Sequence, residues 1–323
     1  MKALFFKTLF YTLLLLLQAC ASDDSTPESI PTEEIPIVET PEFNSTYAAI
    51  VNQISPTNLA TNVQTYEDFG IKNIGTLALE NAQQWITETY RNYGYTAIEL
   101  QEFPALGTFG NNIIITKKGT RFPNSYIILD AHYDTVYKGA NDNGSGTTLL
   151  LEIARLLKGI DTEYSIKFIH FSGEEDGLIG SYYYVQNVVK PTMMDIQLVL
   201  NVDQVGGLKG ANKNVIVCEK GVKSNDKIVD QNSEIVTNAL AKAVTLYTTL
   251  TPEIDTAFSS DYEAFELNKE VITGLFEKNG TQSPHYHQET DLLENMDLDY
   301  FTEVTKAATA AILHFAVAQD SAL

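Results

Sequence analysis

The chain has 323 residues, 44% of them hydrophobic and 20% charged, with 42 acidic side chains against 21 basic ones and a net charge of −21. With only ten prolines and nineteen glycines it is neither collagen-like nor wholly disordered, and its acidity opposes a nucleic-acid partner, since phosphate binding draws on Lys and Arg. Its two cysteines, Cys20 and Cys218, can build neither a disulfide framework nor a cysteine-rich zinc module, so any metal has to be held by His, Asp and Glu.

At the N-terminus, Lys2 and Lys7 are followed by an apolar run that closes in Leu17-Gln18-Ala19-Cys20. The run is shorter than the roughly 20 residues a membrane span needs, and reads as an export signal. Leu-Gln-Ala-Cys resembles the lipobox of bacterial lipoproteins. That resemblance implies a signal peptide over 1–19, acylation of Cys20 and a lipid anchor to the envelope of a Gram-negative bacterium, on the outer membrane. Ser22-Asp23-Asp24 is similar to the acidic export signal of surface-exposed lipoproteins. From Cys20 to Glu42 there are seven acidic residues and four prolines but no Lys or Arg, the composition of a solvated tether. Residues 43–323, with no repeat and no second linker, make one domain.

Helical spacing predicts helices around Ser45 to Ile54 and from Leu77 to Tyr93, the second stopped by Gly94. Short β-rich runs follow at Thr96 to Phe103, Asn112 to Lys117, Tyr126 to Ala131, Ile166 to Phe171, Ile196 to Val202, Asn214 to Cys218 and Glu270 to Phe276. Helices are expected at Thr147 to Lys158, Ser181 to Val189, Glu234 to Tyr247 and Tyr300 to Ala316. Ile127-Ile128-Leu129, Ile166 to Phe171 and Leu198-Val199-Leu200 are nearly continuous apolar runs, as in central strands covered on both faces. The alternation predicts an α/β protein, three-layer α/β/α, with a central, mostly parallel mixed sheet.

In such sheets the ligand site lies beyond the carboxyl ends of the strands. Asp130, His132 and Asp134 follow the first apolar run, Glu174 and Glu175 the second, Asp203 the third. Carboxylates gathered at one edge repel each other unless a cation neutralises them. Histidine and carboxylate without cysteine suit Zn²⁺, and so many ligands suit two ions.

Five motifs stand in order: His132-Tyr133-Asp134, Gly139 to Gly146 around Asp142, Ser172-Gly173-Glu174-Glu175, Asn201-Val202-Asp203 and Pro284-His285-Tyr286-His287. Together they resemble the leucyl aminopeptidase type of bacterial zinc peptidases, a superfamily shared with glutaminyl cyclase and of the phosphorylase/hydrolase-like zinc-exopeptidase fold. The resemblance implies a zinc-dependent aminopeptidase acting on peptides, with two Zn²⁺ per chain. His132 and Asp203 would hold one ion, Glu175 and His287 the other, and Asp142 would bridge them. Glu174 would be the general base that deprotonates a metal-activated water, and Tyr286 would polarise the scissile carbonyl. A cis peptide after Asp142 is also implied. Asp134, two residues beyond His132, is placed to accept its imidazole N–H and so raise the basicity of the ligand. His285 competes with His287 for the ligand role.

Ser260-Asp261-Tyr262 resembles a Ser-Asp-His segment of the family with tyrosine in place of histidine, and the substrate pocket is expected near Tyr262 and Phe265. Asn141 stands where the commoner version of the loop has an acid. His170, His314, Cys218, Trp85 and Tyr182-Tyr183-Tyr184 are expected to be packing residues. Two rival functions share the sequence features: a glutaminyl-peptide cyclotransferase, and a surface lipoprotein that only binds peptides or glycans.

Overall fold

Three helices open the chain: α1 (Ser45–Val51), α2 (Pro56–Asp68) and α3 (Leu77–Asn92). Each starts on a side chain that accepts a free backbone N–H of the first turn, Asn44, Ser55 and Thr76 respectively. The computed structural model describes residues 38–211 and 214–318. The signal peptide over 1–19, Cys20 and most of the tether therefore lie outside the described residues. Val38 is buried against the core, five positions before the expected domain start at Phe43.

The strands follow as β1 (Ile98–Ala105), β2 (Thr108–Lys117), β3 (Phe122–His132), β4 (Tyr164–Phe171), β5 (Asp195–Asp203), β6 (Val215–Lys220), β7 (Thr251–Thr256) and β8 (Ile272–Glu277). Among the described residues they make one eight-stranded sheet in the order β1-β2-β4-β3-β5-β8-β6-β7. The centre β4-β3-β5-β8 is parallel, while β2 and β6 join it antiparallel. The mostly parallel mixed sheet expected from the three apolar runs is therefore present, with those runs as adjacent strands.

Alternation along a strand sends successive side chains to opposite faces. Ile127 and Leu129 of β3 accordingly join one core with Ile166, Phe168, Leu198 and Leu200, while Ile128 joins another with Ile169, Phe171 and Val199. The first core is covered by α1, α2, α3, α4 (Gly144–Leu157), α7 (Lys227–Tyr247) and α9 (Leu298–Phe315). The second is covered by α5 (Ile179–Tyr184), which runs on through a wider turn at Val185–Val189 into α6 (Lys190–Thr192), and by α8 (Tyr262–Leu267). With each buried Val, Leu, Ile or Phe worth about 1.5–3 kcal/mol, both faces of the central strands stabilise the three layers.

The unexpected elements are α2, α8 and the edge strand β7, and α7 begins at Lys227 rather than Glu234. In α2 the buried positions Leu59, Val63 and Tyr66 are separated by Thr, Asn and Gln, so its apolar stripe is thin. Strand β7 is mostly exposed and carries Pro252, which leaves no apolar alternation to read.

Candidate metal centre

The parallel strands β4, β3 and β5 end at one edge, and the chemistry-bearing residues stand there. His132 closes β3 and Asp203 closes β5. Glu174 and Glu175 lie just beyond the end of β4 at Phe171. Asp142 comes from the loop before α4, and His287 from the connection between β8 and α9.

The Asp142 loop is held from several sides. Gly139 has φ +59°, and a Cβ there would meet the carbonyl of Asp142 at 2.3 Å, so only glycine fits. The peptide between Asp142 and Asn143 is cis. The Asn143 Oδ1 accepts the N–H of Gly146 at 2.8 Å, capping α4, and that of Gln204 at 3.2 Å, while its Nδ2 donates to the carbonyl of Val202 at 2.8 Å. One amide thus ties the Asp142 loop to the end of β5, beside Asp203. His287 lies in the left-handed region at φ +54°, a conformation that non-glycine residues keep mainly where the surroundings hold it.

The His132 Nε2 lies 3.4 Å from Asp142 Oδ1 and 3.4 Å from Asp203 Oδ1. The His287 Nε2 lies 3.2 Å from Asp142 Oδ2 and 3.1 Å from Glu175 Oε2. Asp142 therefore presents one oxygen to each imidazole. In both trios, His132/Asp142/Asp203 and Asp142/Glu175/His287, the ligand atoms lie within 4.8 Å of one another, and His132, Glu174 and Glu175 form a third such group. The spacing tests whether the set fits a metal. Charge-assisted hydrogen bonds contract to about 2.7–2.9 Å. Donors about 2.1 Å from a tetrahedral zinc stand about 3.4 Å apart. The two His132 separations are those of the second case, the His287 separations of 3.2 and 3.1 Å lie between the two, and the buried Glu175 Oε1 has no hydrogen-bond partner. The residues fit zinc.

The imidazoles and Glu174 hold their protons firmly. The surrounding acids, Glu174 and Asp203 first, raise His132 well above the ordinary imidazole range against the effect of burial. Hydrogen bonds to Asp142 and Glu175 lift His287 to about 10. Burial opposes ionisation of Asp142, but the two imidazoles bring its carboxyl down to about 2. Glu174, buried among acids, is pushed up to about 10, mainly by desolvation.

Asp134 plays a wider part than expected. The His132 Nδ1–H donates to its backbone carbonyl at 3.2 Å, with its carboxylate farther off at 3.7 Å. That carboxylate instead accepts the backbone N–H of Glu174 at 3.3 Å and of Glu175 at 3.2 Å. It fixes the turn on which both glutamates stand. The Tyr286 ring stacks on the His287 imidazole with centroids 3.9 Å apart, and burial keeps its phenol protonated by raising its pKa. His285 turns away, its Nδ1 2.8 Å from Thr290 Oγ1.

The packing residues are as expected for His170, enclosed against the Tyr90 hydroxyl at 2.9 Å, for His314 on the Tyr247 hydroxyl and for the buried Cys218 thiol. Tyr262 and Phe265 do not line an open pocket: they are 1% and 0% exposed, inside the core beneath the sheet. The Tyr262 hydroxyl donates to Glu219 Oε2 at 3.0 Å and accepts the N–H of Phe258 at 2.9 Å.

Burial pushes the Glu219 carboxyl from 4.5 up to about 8. A folded-state pKa raised in this way contributes stability that is complete below 4.5 and is lost as pH climbs towards about 8. Glu219→Gln keeps an acceptor for Tyr262 without titrating. Between about pH 5 and about pH 8 its melting temperature is expected to fall less than that of the wild type in scanning calorimetry. Equal falls would contradict the assignment.

Residues without a motif complete the site. The Asp291 carboxylate accepts the backbone N–H groups of Asn141 at 2.8 Å and Asp142 at 3.0 Å. Asn141 in turn donates to Glu277 Oε1 at 2.9 Å and accepts the N–H of Gly206 at 2.7 Å. The amide at 141 is thus a latch between loops.

The layered sheet is a fold shared with solved aminopeptidases. The LapA aminopeptidase of Legionella pneumophila superposes with a TM-score of 0.74 over 86% of this chain and 76% of its own, at 19% identity. The glutaminyl cyclase of Bacteroides thetaiotaomicron shares the fold as well, with a TM-score of 0.67 over 80% of this chain and 98% of its own, at 21% identity. The sequence profile of peptidase family M28 matches residues 112–312, well over half of the chain, which belongs to that family. Aminopeptidase YwaD of Bacillus subtilis is 43% identical over 98 residues, 29% of this chain and 22% of the relative. The chain spans less than half the length of the curated relatives it matches.

Proposed function

We propose that the chain is a two-zinc aminopeptidase that removes N-terminal residues from peptides. The observation that carries this reading is Asp142, whose two oxygens face two separate imidazoles, each with a further carboxylate of its own. His132 and Asp203 would hold one ion, Glu175 and His287 the other, with Asp142 shared. Bound zinc supplies Lewis acidity and lowers the pKa of water to about 7. Glu174 takes up the attacking water's proton and passes it to the leaving amine. Asp134 keeps Glu174 and Glu175 in register through their backbone N–H groups. Tyr286, with its phenol protonated, donates towards the scissile carbonyl.

The same proposal extends to the N-terminus. Residues 1–19 would be a lipoprotein signal, Cys20 the lipid anchor, 20–42 a tether and 43–323 the catalytic domain, held at the outer membrane of a Gram-negative cell and facing outward. Among the described residues no helix is long and apolar enough to cross a membrane.

The test is metal content together with a panel of aminoacyl reporter substrates and N-terminal Gln peptides, with and without chelator. About two zinc ions per chain and release of amino acids that stops on chelation are expected. One zinc, with products that have lost ammonia but gained no water, would establish a cyclase instead. Binding without turnover would leave a peptide-binding lipoprotein.

A further inference from the structure

We propose that Glu67 and Lys72, at and just beyond the C-terminal end of α2, are positioning residues that set the spacing between the loop carrying Asp142 and the loop carrying His287. Both precede the residues matched by the family profile, 112–312. The inference rests on the metal-centre reading above.

Lys72 is 0% exposed, yet none of its hydrogen-bond partners is a carboxylate. Its Nζ donates to the carbonyls of Tyr66 at 3.2 Å, Gly70 at 2.7 Å and Lys138 at 2.8 Å. Burial brings the Lys72 ammonium down to about 7, but an ammonium has three donors and no acceptor, and the three carbonyls match that protonated form. The site also lies at the C-terminal end of α2, where the helix dipole favours a cation. The main chains are laced at the same point: the Lys72 N–H donates to Thr135 Oγ1 and the Thr135 N–H to the Lys72 carbonyl, both at 3.1 Å. Residues 70–72 thereby hold residues 135–138, the stretch that leads into Asp142.

Glu67 reaches the second loop. Its carboxylate is almost wholly enclosed, with Oε1 3.3 Å from Lys138 Nζ and Oε2 accepting the N–H of Leu293 at 2.8 Å. One side chain thus touches the Asp142 loop through Lys138 and the His287 connection through Leu293. Asp291 pins the same two segments directly, through the N–H groups of Asn141 and Asp142. Zinc tolerates ligand displacements of only about 0.2 Å, while the carboxylates repel one another when no cation is bound. Hydrogen bonds outside the ligand set, made by the enclosed Lys72 and Glu67 side chains, hold the loops against that repulsion.

The experiment compares Glu67→Ala and Lys72→Met with Val63→Ala, which opens a cavity in the same helix at a core position. Amide hydrogen exchange is measured on the metal-free, full-length protein at 138–142 and 291–295. In Glu67→Ala it is expected to quicken by about tenfold in both segments, and in Val63→Ala to stay unchanged. Zinc affinity by chelator competition should fall roughly 10–100-fold in Glu67→Ala, and the visible spectrum of the cobalt-loaded protein should shift. Should Lys72→Met fail to fold, Glu67→Ala decides alone. Wild-type exchange and spectrum in Glu67→Ala would overturn the proposal, and so would the same changes in Val63→Ala. Exchange in the metal-free protein does not depend on zinc. A wild type that takes up no metal therefore sinks the metal reading and leaves the exchange result to judge the clamp.

Discussion

Glu174→Gln is expected to keep its zinc and lower kcat by about 10²–10⁴-fold, the range in which a positioned general base contributes. Glutamine has nearly the same shape, and the backbone N–H at 174 still has Asp134 Oδ1 as its acceptor at 3.3 Å, so the turn should persist. What the variant lacks is a carboxylate to take a proton from water and return it to the departing amine. The loss should therefore fall on kcat, with KM little altered, because the group acts on the transition state more than on the bound peptide. Steady-state kinetics beside metal analysis of the same preparation checks this. Turnover near that of the wild type would remove Glu174 from the mechanism, while lost zinc would make it a ligand.

Asp142→Ala has the larger effect on the metals. Because Asp142 faces His132 with Oδ1 and His287 with Oδ2, its loss should weaken both ions at once, whereas Asp203→Ala or Glu175→Ala should weaken one. Activity is expected to fall to background. Ligand-linked stability offers a second measure. A site filled at about 100 times its Kd stabilises the fold by about 2.7 kcal/mol, so the wild-type melting temperature should rise with zinc and drop on chelation. In Asp142→Ala that zinc-dependent rise should vanish. Stoichiometric retention of one zinc would show that the carboxylate does not bridge.

The central strands were legible because residues such as Ile127, Ile128 and Leu129 are apolar on both faces, the pattern of a strand in a covered sheet. The site was legible through the same elements, since the acids and histidines follow directly on those runs. Tyr262 and Phe265, expected near the substrate pocket, are enclosed in the core; a motif departure marks a position without saying whether it faces solvent or core. Asp291, Glu277, Glu67 and Lys72 were not legible at all. Their partners are mainly backbone groups distant in the chain, such as the N–H of Asp142 for Asp291, and no spacing rule announces a contact of that kind. Helix α2 was missed for a milder reason. Ser55 and Pro56 carry a good start signal, but the thin stripe of Leu59, Val63 and Tyr66 gives a weak periodicity.

Strand β3 lies between β4 and β5, so neighbours in the sheet are not neighbours in the chain. Asp142, both imidazoles and their companion acids are brought together only when β3, β4 and β5 have paired and the connection after β8 has closed over them. No short contiguous fragment of the chain holds either trio. Zinc can therefore not nucleate this fold in the way it nucleates a small finger domain, where ligands near in sequence gather around the ion first. Here the nonlocal sheet forms first and slowly, as parallel pairings with long loop closures do. On the two-zinc reading, metal capture would then follow folding of the sheet, and a molecule exported unfolded across a membrane would acquire metal only in the compartment where it folds.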